Sequence, residues 1–174
     1  MPDTSAPAAI TIADLVTPAD AEAFRTLNEA WITRFFTLED EDRRYLGDPF
    51  GHIVEPGGAV LVARIASDGA AGSDDTETVI GCVGLAPTAP GEYELVKMAV
   101  SPDHQGHGTG RRLIAAALDR ARELGARRVV LESNSGLASA VHLYEAFGFR
   151  HLEPHEVAPS PYARADVHMR LDLA

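Results

Sequence analysis

Apolar residues recur along this chain in two rhythms, one of period two and one near 3.6, and the switches between them mark out its elements. An extended opening at Ala9-Ile-Thr-Ile12 leads to Thr17-Pro18, an N-cap followed by proline at the first helical position. A helix is predicted over 18–36, with Phe24, Leu27, Trp31 and Phe35 at helical spacing as its buried face. A short helix over 38–45 follows, stopped before Gly47 and Pro49. Gly57-Gly58 turns into Ala59-Val-Leu-Val-Ala63, and a Gly/Ser/Asp loop over 67–77 hands over to Val79-Ile-Gly-Cys-Val-Gly-Leu85. Those two runs read as an antiparallel hairpin with a long, mobile loop.

The second half alternates strand and helix. A strand over 93–100 runs through a glycine-dense turn into a helix over 108–124, which is predicted to bury Leu113, Ile114, Ala117, Leu118, Ala121 and Leu124 and to end at Gly125. A strand over 128–132, a helix over 138–147 and a closing strand over 166–171 complete the pattern. The order gives an α/β fold, a mixed sheet with helices on both faces, and no linker or repeat divides the 174 residues, so a single domain is expected.

Composition narrows the function. With 26 acidic residues against 15 basic ones the formal charge is -11, which argues against nucleic acid, whose phosphates need a basic footprint, and suits a cationic amine. No stretch approaches the roughly 20 apolar residues of a membrane span, and Met1-Pro-Asp-Thr-Ser-Ala-Pro7 has no basic cluster, so no membrane partner and a cytoplasmic location are expected. Cys82, the single cysteine, lies in an apolar strand pattern and reads as a buried hydrophobe rather than a nucleophile. His104-x-x-His107, His151 and His155 lack an obvious third ligand, so no metal is expected.

The strongest chemical signal is Met98-Ala-Val-Ser-Pro-Asp-His-Gln105-Gly-His-Gly-Thr-Gly110-Arg-Arg-Leu113. Glycines here allow positive φ and close approach of a ligand, and free amides at a helix N-terminus face an anion, so the segment is a phosphate cradle. A dinucleotide Gly-x-Gly-x-x-Gly fails by count, since the third position falls on Arg111 or Leu113; a Walker A loop fails because the chain's one lysine, Lys97, precedes the turn. Glu132, after a strand, is what remains of a Rossmann reading.

Gln105-x-x-Gly108-x-Gly110, with the preceding strand from Glu94 and the later Leu131-Glu-Ser-Asn134 and Leu143-Tyr144-x-x-x-Gly148-Phe149, resembles the GNAT superfamily of acetyl-CoA-dependent N-acetyltransferases. The resemblance implies a mostly antiparallel sheet with one splayed parallel strand pair and the pantetheine arm in the gap along Met98, Ala99 and Val100. It implies a pyrophosphate cradle at Gln105, Gly106, His107, Gly108, Thr109, Gly110 and Arg111. Tyr144 matches the family tyrosine that donates a proton to the departing thiolate, though on an amphipathic helix a packing role is open to it as well. Glu94 is the candidate base for the amine, unless period-two geometry turns it to solvent. Asn134 is either the family residue that ties strand, helix and pantetheine together or a cap for the helix over 138–147.

By the same analogy Trp31, Phe35, Phe36, Glu39, Tyr162, Arg164 and Asp166 are candidates for the acceptor wall, with the planar fork of Arg164 suited to a substrate carboxylate and hence to an amino acid or peptide. The implied reaction is transfer of acetyl from acetyl-CoA to a primary amine of a small molecule or peptide, by direct attack without an acyl-enzyme. A non-catalytic acetyl-CoA-binding sensor is the alternative, and a homodimer is compatible with family habit.

Overall fold

Thr17 starts the first helix as a capping box: its hydroxyl accepts the Asp20 amide at 3.1 Å and Asp20 Oδ2 accepts the Thr17 amide at 3.1 Å. The computed structural model describes residues 8–66 and 77–174, so most of the loop expected over 67–77 lies outside the described residues, as does Met1-Pro7. Seven strands, β1 (Ile10–Asp14), β2 (Ala59–Ala66), β3 (Glu77–Ala89), β4 (Glu92–Val100), β5 (Arg128–Ser133), β6 (Arg150–His151) and β7 (Val167–Asp172), form one sheet. The helices are α1 (Pro18–Phe35), α2 (Asp40–Gly47), α3 (Thr109–Glu123) and α4 (Ala138–Ala146).

The sheet order is β1-β2-β3-β4-β5-β7-β6, antiparallel throughout except for the parallel pair β4/β5. That arrangement excludes the doubly wound parallel sheet of the Rossmann reading. Alternation along β2 sends Leu61 and Ala63 to the cluster built with α3 and α4, and Val60 and Val62 to the cluster built with α1 and α2. Two helical layers therefore sandwich the sheet, and each fully buried Phe24, Ile32, Leu113 or Met169 contributes about 1.5–3 kcal/mol by leaving water.

The buried stripe of α1 is rotated from the predicted one. Asp20, Phe24, Asn28 and Ile32 are buried at four-residue spacing, while Leu27 and Trp31 flank the stripe and Phe35 is 58% exposed. The cause is Asn28, a polar residue whose hydrogen bonds are all made inside. Leu124, expected inward, is instead the C-cap of α3 and 36% exposed. The second helix starts two residues later than predicted because Glu39 and Asp42 form its capping box, and it runs through Gly47 into a π-helical turn over Phe50–Val54 that the pattern did not foretell.

No helix among the described residues is long and apolar enough to cross a membrane. Among them, too, no cluster of three or more His, Cys, Asp or Glu side chains is placed to hold a metal ion.

Candidate functional site

The site begins with one extra residue in a strand. Pairing of β3 with β4 shifts between Cys82↔Ala99 and Gly84↔Val96, with one intervening residue on β3 against two on β4, and the extra one is Lys97, at φ 53. This bulge resets the alternation, so Val96 and Ala99 face α1 while Leu95, Met98 and Val100 face the other layer. Asn28 of α1 holds the bulge, its Nδ2 donating to the Lys97 carbonyl at 3.1 Å and to the Phe24 carbonyl at 2.9 Å while its Oδ1 accepts Trp31 Nε1 at 3.2 Å. The Lys97 ammonium is buried, bonded to Asp42 of α2 and to the Tyr162 hydroxyl at 3.0 Å.

Asp42 also receives Arg164 in a two-pronged pair, Nη1 and Nη2 each 2.7 Å from a carboxylate oxygen, and Arg164 Nη1 reaches Glu39 at 3.0 Å. Burial pushes the Asp42 carboxyl up, but Arg164, Lys97 and the Glu39 amide outweigh it and hold it at about 2. Burial also lowers the Lys97 ammonium from its ordinary value against the pull of Asp42, and raises the Tyr162 phenol.

Parallel pairing of β4 with β5 covers Glu92↔Arg128, Tyr93↔Val129 and Glu94↔Val130, and ends there although both strands continue. From that parting runs a cavity of about 860 Å³. One end meets the start of α3 at Gln105, Gly106, Gly108 and Thr109; the other is walled by Trp31, Phe35 and Phe36, with Glu94, Glu132 and Tyr144 also on its lining.

At the α3 end the backbone is prepared for an anion. Gly106 and Gly108 sit at φ +77 and +81, and nothing lies within 4 Å of where a Cβ would stand on either. Beyond Gln105, the next amide used among the described residues is that of Arg112, bonded to the Gly108 carbonyl at 3.0 Å, so within that set those of residues 106–111 stay free. Two buried polar atoms beside them, Thr109 Oγ1 and His104 Nδ1, have no partner among the described residues. A pyrophosphate fits this set: free donors, a helix N-terminus and close access.

Glu94 is the lining carboxylate whose proton affinity is moved into the neutral range. Burial, then the nearby Glu132 carboxylate, push its carboxyl up to about 7. Burial alone raises the Tyr144 phenol to about 12, and its ring packs edge-on to Phe149 with centroids 6.0 Å apart. The pair thus offers a base that is half ionised near neutrality and a hydroxyl that keeps its proton.

The sequence profile described as the Acetyltransferase (GNAT) family matches residues 21–149, and an uncharacterized N-acetyltransferase of Schizosaccharomyces pombe is 30% identical over 97% of this chain and 98% of its own. The chain belongs to the GNAT family of acetyltransferases. It is an N-acetyltransferase, with acetyl transfer as its general chemistry. Solved GNAT folds agree: an acetyltransferase of Staphylococcus aureus superposes with TM-score 0.80 at 16% identity, covering 95% of this chain and 100% of that one. A Salmonella typhimurium protein solved with acetyl-CoA gives 0.69 at 23%, covering 95% of each.

In this acetyltransferase most of the candidate coenzyme residues, Met98, Ala99, Val100, Gln105, Gly106, Gly108, Thr109, Gly110, Arg111 and Asn134, do meet on one cavity. His107 is exposed and off its lining. Gly110 is not in the positive-φ region, and a Cβ there would stand 3.4 Å from Leu143 Cδ2 of α4, an ordinary contact, so turn geometry does not require glycine at this position. Gln105 shapes the turn by donating to the Val100 carbonyl at 3.1 Å, and Arg112 is drawn away to the Ile10 carbonyl at 2.8 Å.

Asn134 does not cap α4, whose N-cap is Leu137. It donates to the Arg164 carbonyl at 2.7 Å and accepts the Gly136 amide at 2.8 Å, tying the end of β5 to the segment before β7. Arg164 is not open to a substrate carboxylate, because Asp42 and Glu39 already occupy its fork. Asp166 is likewise engaged, by the Ser135 amide and hydroxyl at 2.7 Å each.

Asn28, Asp42 and Lys97 were the residues that sequence reasoning passed over. The available signal was a lone lysine inside an otherwise apolar strand core, which in a chain with one lysine demands a buried partner.

Proposed function

We propose that this acetyltransferase moves the acetyl group of acetyl-CoA directly onto a primary amine held in the same cavity. The observation that carries the reading is the meeting of Glu94, Tyr144 and the free amides of Gly106 and of residues 108–111 on one cavity where β4 and β5 part. Gly106, Gly108, Thr109 and the backbone between them would hold the pyrophosphate, and Met98 to Val100 would line the pantetheine arm. Bound there, acetyl-CoA supplies an activated acetyl thioester.

An amine attacks only when neutral, and Glu94, with its carboxyl near 7, is suited to take its proton directly or through one water. Tyr144 has a different task from the one its ordinary acidity would allow. A phenol raised to about 12 is a poor full proton donor to a thiolate but a persistent hydrogen-bond donor, which stabilises charge building on the departing sulfur.

Cys82 supports direct transfer: it is wholly buried, burial pushes its thiol up to about 12, and it is not on the cavity lining. The test is thiol release from acetyl-CoA with and without added amines, beside calorimetric titration of acetyl-CoA. Binding with amine-dependent release is the expected result; absence of binding, or release indifferent to amine, contradicts the reading.

A further inference from the structure

The acceptor end of the cavity holds two cations, Lys97 and Arg164, and both are already neutralised. Asp42, whose side chain is 0% exposed, takes Lys97 and both prongs of Arg164, and Glu39 takes the remaining contact of Arg164. A substrate carboxylate entering here would have to draw Arg164 or Lys97 off a fully buried Asp42, leaving that charge under-partnered.

The carboxylates on the opposite strands are in the reverse condition. Glu94 and Glu132 face the same cavity from β4 and β5, close enough for the charge of one to raise the proton affinity of the other. Glu132 is met by the Ser160 hydroxyl at 3.0 Å and by His168 Nδ1 at 3.5 Å, and neither glutamate has a Lys or Arg within ion-pair distance among the described residues. The acceptor end of the cavity therefore presents carboxylates without a Lys or Arg partner and, among the described residues, no unpaired cation to receive another negative charge.

The third element is apolar. Trp31 and Phe36 stack edge to face with centroids 6.4 Å apart, and Phe35, 58% exposed, adds a ring at the cavity mouth. A large exposed aromatic beside two others on a cavity rim offers an apolar body a surface to lie on.

We infer that the acceptor is a cationic primary amine carried on an apolar or aromatic body, without a carboxylate beside the amine. This rests on the acetyl-transfer reading and adds the acceptor's class. Glu94 and Glu132 attract the ammonium form, the aromatic wall seats the body, and the closed Asp42 cluster excludes an α-carboxylate.

Matched acceptors test it. Thiol release is measured with tyramine, tryptamine and phenylethylamine against tyrosine, tryptophan and phenylalanine, with phenylalanine amide as a bulkier acceptor that lacks the carboxylate, and acetyl-CoA binding is measured on the same preparation. Each amine, and the amide, is expected to exceed its amino acid in kcat/KM by at least about tenfold, with Glu132→Gln narrowing the ratio mainly through KM of the amine. Amino acids turned over as well as their amines overturn the inference while leaving acetyl transfer in place. So does acetyl-CoA binding with no turnover of any of these amines. Loss of acetyl-CoA binding itself removes the reading beneath, and the inference with it.

Discussion

The Lys97 ammonium is ion-paired to the Asp42 carboxylate across 55 residues of chain, with side-chain exposures of 5% and 0%. The pair joins α2 to the bulge of β4, so the same contact fixes a helix end and the line of the strand that borders the cavity. Removing Asp42 leaves the buried Lys97 with only the Tyr162 hydroxyl, whereas removing Lys97 leaves Asp42 still held by Arg164. Asp42→Asn is expected to cost about 3–5 kcal/mol in urea melts and Lys97→Met clearly less, with the double variant below their sum. Additive losses would show that the pair is not coupled.

The carboxyl of Asp42, held at about 2 in the fold against 3.8 ordinarily, gives stability that is present above pH 3.8 and is lost as pH falls through about 2. Asp42→Asn is expected to flatten that acid limb in melts from pH 5 to 2. An unchanged slope would place the acid sensitivity elsewhere.

Glu94 has the opposite sign. Its carboxyl is raised from 4.5 to about 7, so between those values the folded chain binds more protons than the unfolded one and stability falls as pH rises. At pH 8 Glu94→Gln is expected to melt a few degrees higher, a gain on the order of 1 kcal/mol, and to turn over about 10²-fold more slowly with the inflection near pH 7 gone from its rate profile. A faster or equally fast variant would remove Glu94 as base.

Gly108, at φ +81, separates coenzyme binding from packing, because nothing stands within 4 Å of an added Cβ. Gly108→Val is expected to cost about 1–2 kcal/mol of backbone strain and, by crowding the free amides, to weaken acetyl-CoA binding at least about tenfold in calorimetry. Unchanged affinity would move the pyrophosphate away from this turn.

How much of this the sequence disclosed follows from the nature of each signal. The strand-turn-helix that would cradle the pyrophosphate was legible because a strand, a glycine turn and an amphipathic helix each leave a local pattern, and the structure starts α3 one residue after Gly108. The bulge was not, since Leu95-Val-Lys-Met98 has the same letters whether or not one residue is extra, and only the partner strand reveals it. The stripe of α1 was misread for a related reason: Asn28 counts as polar in a pattern, but its bonds to Phe24, Lys97 and Trp31 are satisfied in the interior. Arg164 does reach the cavity, but the partners that close its fork to a substrate carboxylate, Glu39 and Asp42, lie more than 120 residues away in the chain.

The role given to Tyr144 is tested by Tyr144→Phe, which keeps the ring against Phe149 and removes only the hydroxyl. Thiol release with an accepted amine is measured beside calorimetric affinity for acetyl-CoA. Turnover lower by about 10²-fold with affinity within about twofold is the predicted result. Equal turnover would contradict it and leave Tyr144 as a packing residue.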